Sequence, residues 1–162
     1  MNNDLKNAQR LLLGHGALIL LLGFIIGFGF LFFLLGEVTV WPFPGTIKYQ
    51  FPGTYDAWRM AHLEGIANGL MLWIMAAVIP LLQPYIKRIY RISVGMIVVA
   101  WTFVIASAID PIFPNARGLA FNASSNLASD TAFFLFYIGI IIAFVAVITI
   151  AVKTLRPGGE VR

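Results

Sequence analysis

Residues 58–82 read WRMAHLEGIANGLMLWIMAAVIPLL, a segment that suits a bilayer in all but its first turns. From Ala61 to Leu82 the side chains are mostly apolar or small, over a length that covers roughly 30 Å at 1.5 Å per residue. Its head is different, because His62, Glu64 and Asn68 stand there close together. Polar groups in such a segment are costly, so they mark a candidate site.

Working outward, three more runs have the same character: Leu11 to Leu35, Ile92 to Ile109, and Thr131 to Val152. The 162-residue chain is 60% hydrophobic and 11% charged, with a mean hydropathy of +0.88. These values lie far from those of a soluble domain. The expected fold is therefore an all-α membrane protein, one domain over residues 1–162, built as a four-transmembrane-helix bundle with spans 11–35, 61–82, 92–109 and 131–152. The first run is too long for the apolar core of a signal peptide, and Gly36, Glu37 and Val38 lead into aromatic sequence rather than a small-residue cleavage site. It is expected to stay in the mature chain. There is no cysteine, which excludes disulfides, iron–sulfur clusters and thiolate-held metals.

The basic residues set an orientation. Lys6 and Arg10 precede the first span, Lys87, Arg88 and Arg91 lie between the second and third, and Lys153, Arg156 and Arg162 follow the fourth. The opposite side carries only Lys48, Arg59 and Arg117. Both termini are thus expected in the cytoplasm. The net charge of +4 follows from this topology, with no nucleic-acid partner implied.

His15 lies about a turn into the first span from the cytoplasmic side, and His62 where the second span re-enters from the other side. Their expected separation is ~20 Å or more along the membrane normal. One metal could not take both, so a metal at His62 would have a single histidine from this chain and an open or weakly held position opposite, the arrangement that chemistry usually requires. Gly65 and Gly69 fall within about 60° of His62 on a helical wheel. That small-residue face fits a flat cofactor, and Asn68 beside it could offer a hydrogen bond. It equally fits a close helix contact, with Asn68 bonding across the interface. Glu64 points elsewhere and reads as an interfacial carboxylate paired with Arg59.

At these residues the chain resembles the styrene oxide isomerases, small four-span bacterial membrane enzymes. The likeness includes Gly14, His15 and Gly16 in the first span, the WRMAH and NG elements ending at Asn68 and Gly69, and Pro80 closing the second span. It continues through Trp101, the PNARGLAF stretch from Pro114 to Phe121, and Leu127 and Asp130 before an aromatic-rich fourth span. Order and spacing hold over most of the chain apart from about one inserted residue near Ala116.

The resemblance implies haem b near an interface between protomers of a homotrimer in the bacterial inner membrane, with His62 as axial ligand and the opposite face of the iron open. It implies a Lewis-acid isomerase that opens small lipophilic aryl epoxides and yields aldehydes by a 1,2-hydride shift, with Asn68 orienting the substrate or its oxyanion. Gly65, Gly69 and Arg117 are the further cofactor-binding candidates, Arg117 by pairing with a propionate. A haem protein of electron transfer or sensing, without isomerase activity, is the alternative. The chain departs from the family on the third span, where an acidic residue and a tyrosine are expected: Val99 and Ser107 occupy those positions counting from Trp101, or Ala100 and Ala108 counting back from Arg117. Asp110 follows within a turn, but Pro111 after it favours a helix-ending role.

The remaining segments read as architecture. Gly36 to Met60, an aromatic and proline-rich connection, is expected to fold back on the membrane face with a short hairpin between Val38 and Phe51, either as an aromatic belt or as cover for a pocket. His15 reads as a packed or interfacial histidine. Asn122-Ala-Ser124 spells a glycosylation acceptor, taken as chance.

Overall fold

A computed structural model of the chain describes residues 3–113, 115–121 and 126–156. It holds four long helices, α1 (Asn3–Leu35), α2 (Tyr55–Leu82), α3 (Ile89–Ile109) and α4 (Leu127–Leu155), with a two-stranded hairpin, β1 (Glu37–Thr39) and β2 (Thr46–Lys48), between α1 and α2. All four helices are long and apolar enough to cross a membrane. Each coincides with one expected span, and all four begin earlier. Apolar windows mark the bilayer core, whereas the helices continue past it, and side-chain caps mark where α2 and α4 start: Thr54 Oγ1 accepts from Ala57 N, and Asn126 Oδ1 accepts from Ser129 N. His62 consequently lies two turns inside α2 rather than at its mouth.

Helix α1 packs along α2, both touch α3, and α4 lies mainly on α3. The buried residues of α4 are Ser129, Ala132, Gly139 and Ala146, so a small-residue seam meets α3 while Phe144, Val145 and Ile148 stand exposed. Large apolar side chains are exposed on all four helices, as surfaces facing lipid or a second membrane protein should be.

The α1–α2 contact is the closest. Gly65 faces Gly23 so tightly that a Cβ on Gly65 would lie 2.5 Å from Gly23 Cα, while one on Gly69 would lie 2.6 Å from Leu20 Cγ. Gln9 adds a bond to the Ala76 carbonyl at 3.0 Å. The aromatic connection does fold back: Phe51 sits edge-on to Phe32, Tyr49 and Trp58, and Trp58 Nε1 donates to the Pro52 carbonyl at 2.8 Å. The hairpin pairs Glu37 with Lys48 and Thr39 with Thr46, starting one residue before the expected interval of Val38 to Phe51.

Candidate functional site

The imidazole of His62 lies in the α1–α2 seam with Nδ1 2.9 Å from the Gly23 carbonyl oxygen. A carbonyl can only accept, so Nδ1 carries a proton, and in the neutral ring Nε2 then keeps its lone pair. The close approach has a visible cause. Because Gly23 and Gly65 lack side chains, the two backbones meet and the carbonyl reaches the ring; Gly27 leaves room for the ring itself, since a Cβ there would lie 2.9 Å from His62 Nδ1 and Cε1. Gly65 and Gly69 therefore face α1 rather than an open surface. The helix-contact reading of their small-residue face is the one realised, and they act on His62 through the position of α1.

Asn68 is 6% exposed. Its Nδ2 donates to the Glu64 backbone carbonyl at 3.0 Å and to Glu64 Oε2 at 2.6 Å. Both amide N–H groups are thus engaged within α2, and Oδ1 is the remaining polar atom. Glu64 does not pair with Arg59, which instead approaches Asp56 at 3.7 Å. Arg59 and Asp56 are three residues apart near the exposed start of α2, whereas Glu64 is half-buried a turn deeper and four residues from Asn68, the spacing that brings helical side chains together.

His15 and Trp101 meet. Trp101 Nε1 donates to His15 Nδ1 at 3.1 Å, with the rings edge-on at 89°. His15 is a packed histidine that links α1 to α3. His62 is level with Gly23 and Gly27, eight and twelve residues beyond His15 along α1, or about 12 to 18 Å at helical rise. This is less than the sequence-based separation because His62 sits deeper, yet it is still too far for one metal to reach both rings. Among the described residues no group of three or more histidine, aspartate or glutamate side chains could hold a bare ion.

At the end of the bundle that carries the hairpin, a groove of about 590 Å³ runs between the segment from Pro52 to Ala57 and the residues after α3, including Asp110, Pro111, Asn115 and Arg117. Part of the aromatic connection thus forms a pocket wall. A smaller cavity of about 30 Å³ shares Asp56, Asp110 and Arg117 with it and is closed by Met60, Ser107 and Phe136. Ser107 is 3% exposed and its Oγ has no hydrogen-bond partner among the described residues; the cavity has room for a water. Asp110 caps α3, as Pro111 foretold. Burial raises its carboxyl above the ordinary value, and the opposing charge of Arg117 pulls part of that back. Arg117 stands in this groove with Asp56 and Asp110. Val99 and Ala100 are core residues of α3, so neither register puts a titratable group at those positions. Asn122-Ala-Ser124 lies outside the described residues.

Two signals bore on residues the sequence reading missed. Gly23 belongs to a stripe with Gly16 and Gly27 at spacings of seven and four, the same helical face that Gly65 and Gly69 form on α2. The Glu64–Asn68 bond follows from spacing alone.

Comparison with known proteins finds that a family model described as styrene oxide isomerase matches residues 8–155. A styrene-oxide isomerase of Pseudomonas fluorescens is 30% identical over 114 residues, which cover 70% of this chain and 66% of that protein. The match thus spans just under two thirds of the relative's length.

Proposed function

The chain belongs to the styrene oxide isomerase family, and from that premise we propose that it is a haem b-dependent membrane isomerase of small lipophilic epoxides. The observation that carries the proposal is the state of His62. Histidines that ligate metals commonly donate their other ring N–H to a carbonyl or carboxylate, which fixes the tautomer and raises the basicity of the ligating nitrogen. The His62–Gly23 bond does this, leaving Nε2 as the available donor. A lone imidazole does not make a site for a bare ion, but it suits iron that arrives with four porphyrin nitrogens of its own. When bound, ferric haem supplies a Lewis acid for an epoxide oxygen.

The reaction class is redox-neutral. One carbon–oxygen bond breaks at the carbon that better supports positive charge, a hydride moves from the neighbouring carbon, and the aldehyde has the composition of the epoxide. The chain's own part is to hold the ligand nitrogen, exclude water and place a polar group near the reacting oxygen. Asn68 is the candidate for that last task. With both N–H groups on Glu64, it offers an acceptor at Oδ1, and donation to an oxyanion requires the amide to leave Glu64. Glu64 is thereby a positioning residue for Asn68. Arg117 is the candidate partner of a propionate, in competition with Asp110. A homotrimer with both termini cytoplasmic completes the proposal; the half-buried ring of His62 is compatible with a site shared between protomers.

The test is turnover of styrene oxide by detergent-purified protein reconstituted with haemin, followed by gas chromatography. Phenylacetaldehyde formed with no electron donor supports the isomerase. Reversible reduction by dithionite without conversion of any epoxide supplied would replace it with an electron-transfer role.

A further inference from the structure

At the end of the bundle opposite the hairpin, a cavity of about 800 Å³ opens between the turn joining α2 to α3 and the last turns of α4. Its polar wall holds four cationic side chains, Lys87, Arg88, Arg91 and Lys153, with no carboxylate among the described residues of the lining. The salt bridges among the described residues join Lys48 to Glu37 and Arg59 to Asp56, so neither involves these four. The groove at the hairpin end is different, since there Arg117 faces Asp56 and Asp110. Helix α3 also starts without a side-chain cap, its N-cap residue being Arg88, and an uncapped helix start adds partial positive charge to the same place.

The other wall is apolar. Ile86, Ile92 and Val145 line it, and beyond them Phe144, Ile148 and Val152 continue the exposed flank of α4. A soluble anion has no use for that flank, whereas a lipid does. We propose that this cavity binds the phosphate headgroup of an anionic phospholipid, with its acyl chains along α3 and α4. Basic pockets between membrane helices recognise such headgroups through charge and hydrogen bonds, and arginine offers the bidentate geometry that phosphate accepts. The consequence is mechanical. Helix α4 packs mainly on α3, so a headgroup shared by Arg88 and Lys153 ties the end of α4 to the α2–α3 turn.

The experiment uses the full chain, delipidated in neutral detergent. Native mass spectrometry and thermal unfolding are measured with phosphatidylglycerol, with phosphatidylcholine of the same acyl chains, and with inorganic phosphate. The expected result is retention of phosphatidylglycerol and a raised melting temperature, with neither effect from the other two. Arg88→Gln combined with Lys153→Gln lowers affinity about 25-fold, at about fivefold per cation. Lys48→Gln with Arg59→Gln, the same charge loss at the hairpin end, changes it less than about twofold. Should the first pair fail to fold, Lys87→Gln with Arg91→Gln makes the same test. Equal retention by cavity and hairpin-end variants, or equal binding of phosphatidylcholine, overturns the site. Equal stabilisation by inorganic phosphate overturns the lipid as its occupant.

Discussion

Replacing Gly65 by alanine perturbs the geometry on which His62 depends without touching its ring. The added Cβ would lie 2.5 Å from Gly23 Cα and 3.1 Å from Gly23 N. Carbon atoms rest at about 3.5–4.0 Å, and both obstacles are backbone, so α1 must retreat by roughly 1 Å or more. The His62–Gly23 bond, 2.9 Å at present, then stretches past the ~3.5 Å at which it ceases to count as one. Two losses follow. Overpacking costs about 1–3 kcal/mol of stability, and losing the bond that orients a metal-ligating histidine lowers metal affinity about 10- to 100-fold. Haemin titration followed at the Soret band, with thermal unfolding of the apoprotein in the same detergent, reads both. Gly14→Ala is the control, because its Cβ would meet nothing within 4 Å and alanine favours the helix by about 0.5–1 kcal/mol. Wild-type haemin affinity in Gly65→Ala would refute the link from glycine packing to the ligand.

Three further outcomes are expected. Asn68→Ala keeps haem and lowers turnover at least about tenfold, as for the loss of one preorganised polar contact; equal loss of haem and activity would make Asn68 a scaffold residue instead. Ser107→Ala removes a buried hydroxyl without a partner among the described residues and leaves stability, read by thermal unfolding, unchanged or higher by no more than about 1–2 kcal/mol, whereas a clear fall would show that a bound water satisfies it. The Asp110 carboxyl titrates above its ordinary value of 3.8, so its contribution to stability is greatest below that pH and declines as pH rises through the raised value. Asp110→Asn should flatten that decline in melts from pH 3.8 upward, and an unchanged slope would assign it to another group.

Much of the architecture was legible because it follows from solvent. A run of apolar side chains long enough to cross a bilayer has few alternatives to a helix, since each backbone polar group must be satisfied within the segment. The hairpin and the returning aromatic connection were legible from proline and aromatic content. The site was only partly so. A face made of Gly65 and Gly69 is the same string of letters whether it admits a flat ligand or another backbone, and the choice depends on Gly23, forty-two residues away in sequence. The carbonyl that polarises His62 belongs to a glycine and has no side-chain signature. The Trp101–His15 bond joins a histidine that looked packed or interfacial to a tryptophan singled out only by the family resemblance, and nothing local in either helix announces the partner. Arg59 was assigned the wrong carboxylate because charge alone was weighed, whereas depth separates Asp56 from Glu64.

The central claim is that Nε2 of His62 holds the iron of a haem. The most direct measurement is the ultraviolet–visible spectrum of haemin-reconstituted protein beside that of His62→Ala, with the melting temperature of each apoprotein recorded to establish folding. A Soret band present in the first and absent from a folded second is the predicted result. An identical band in both would contradict the claim, and would place the cofactor on another ligand.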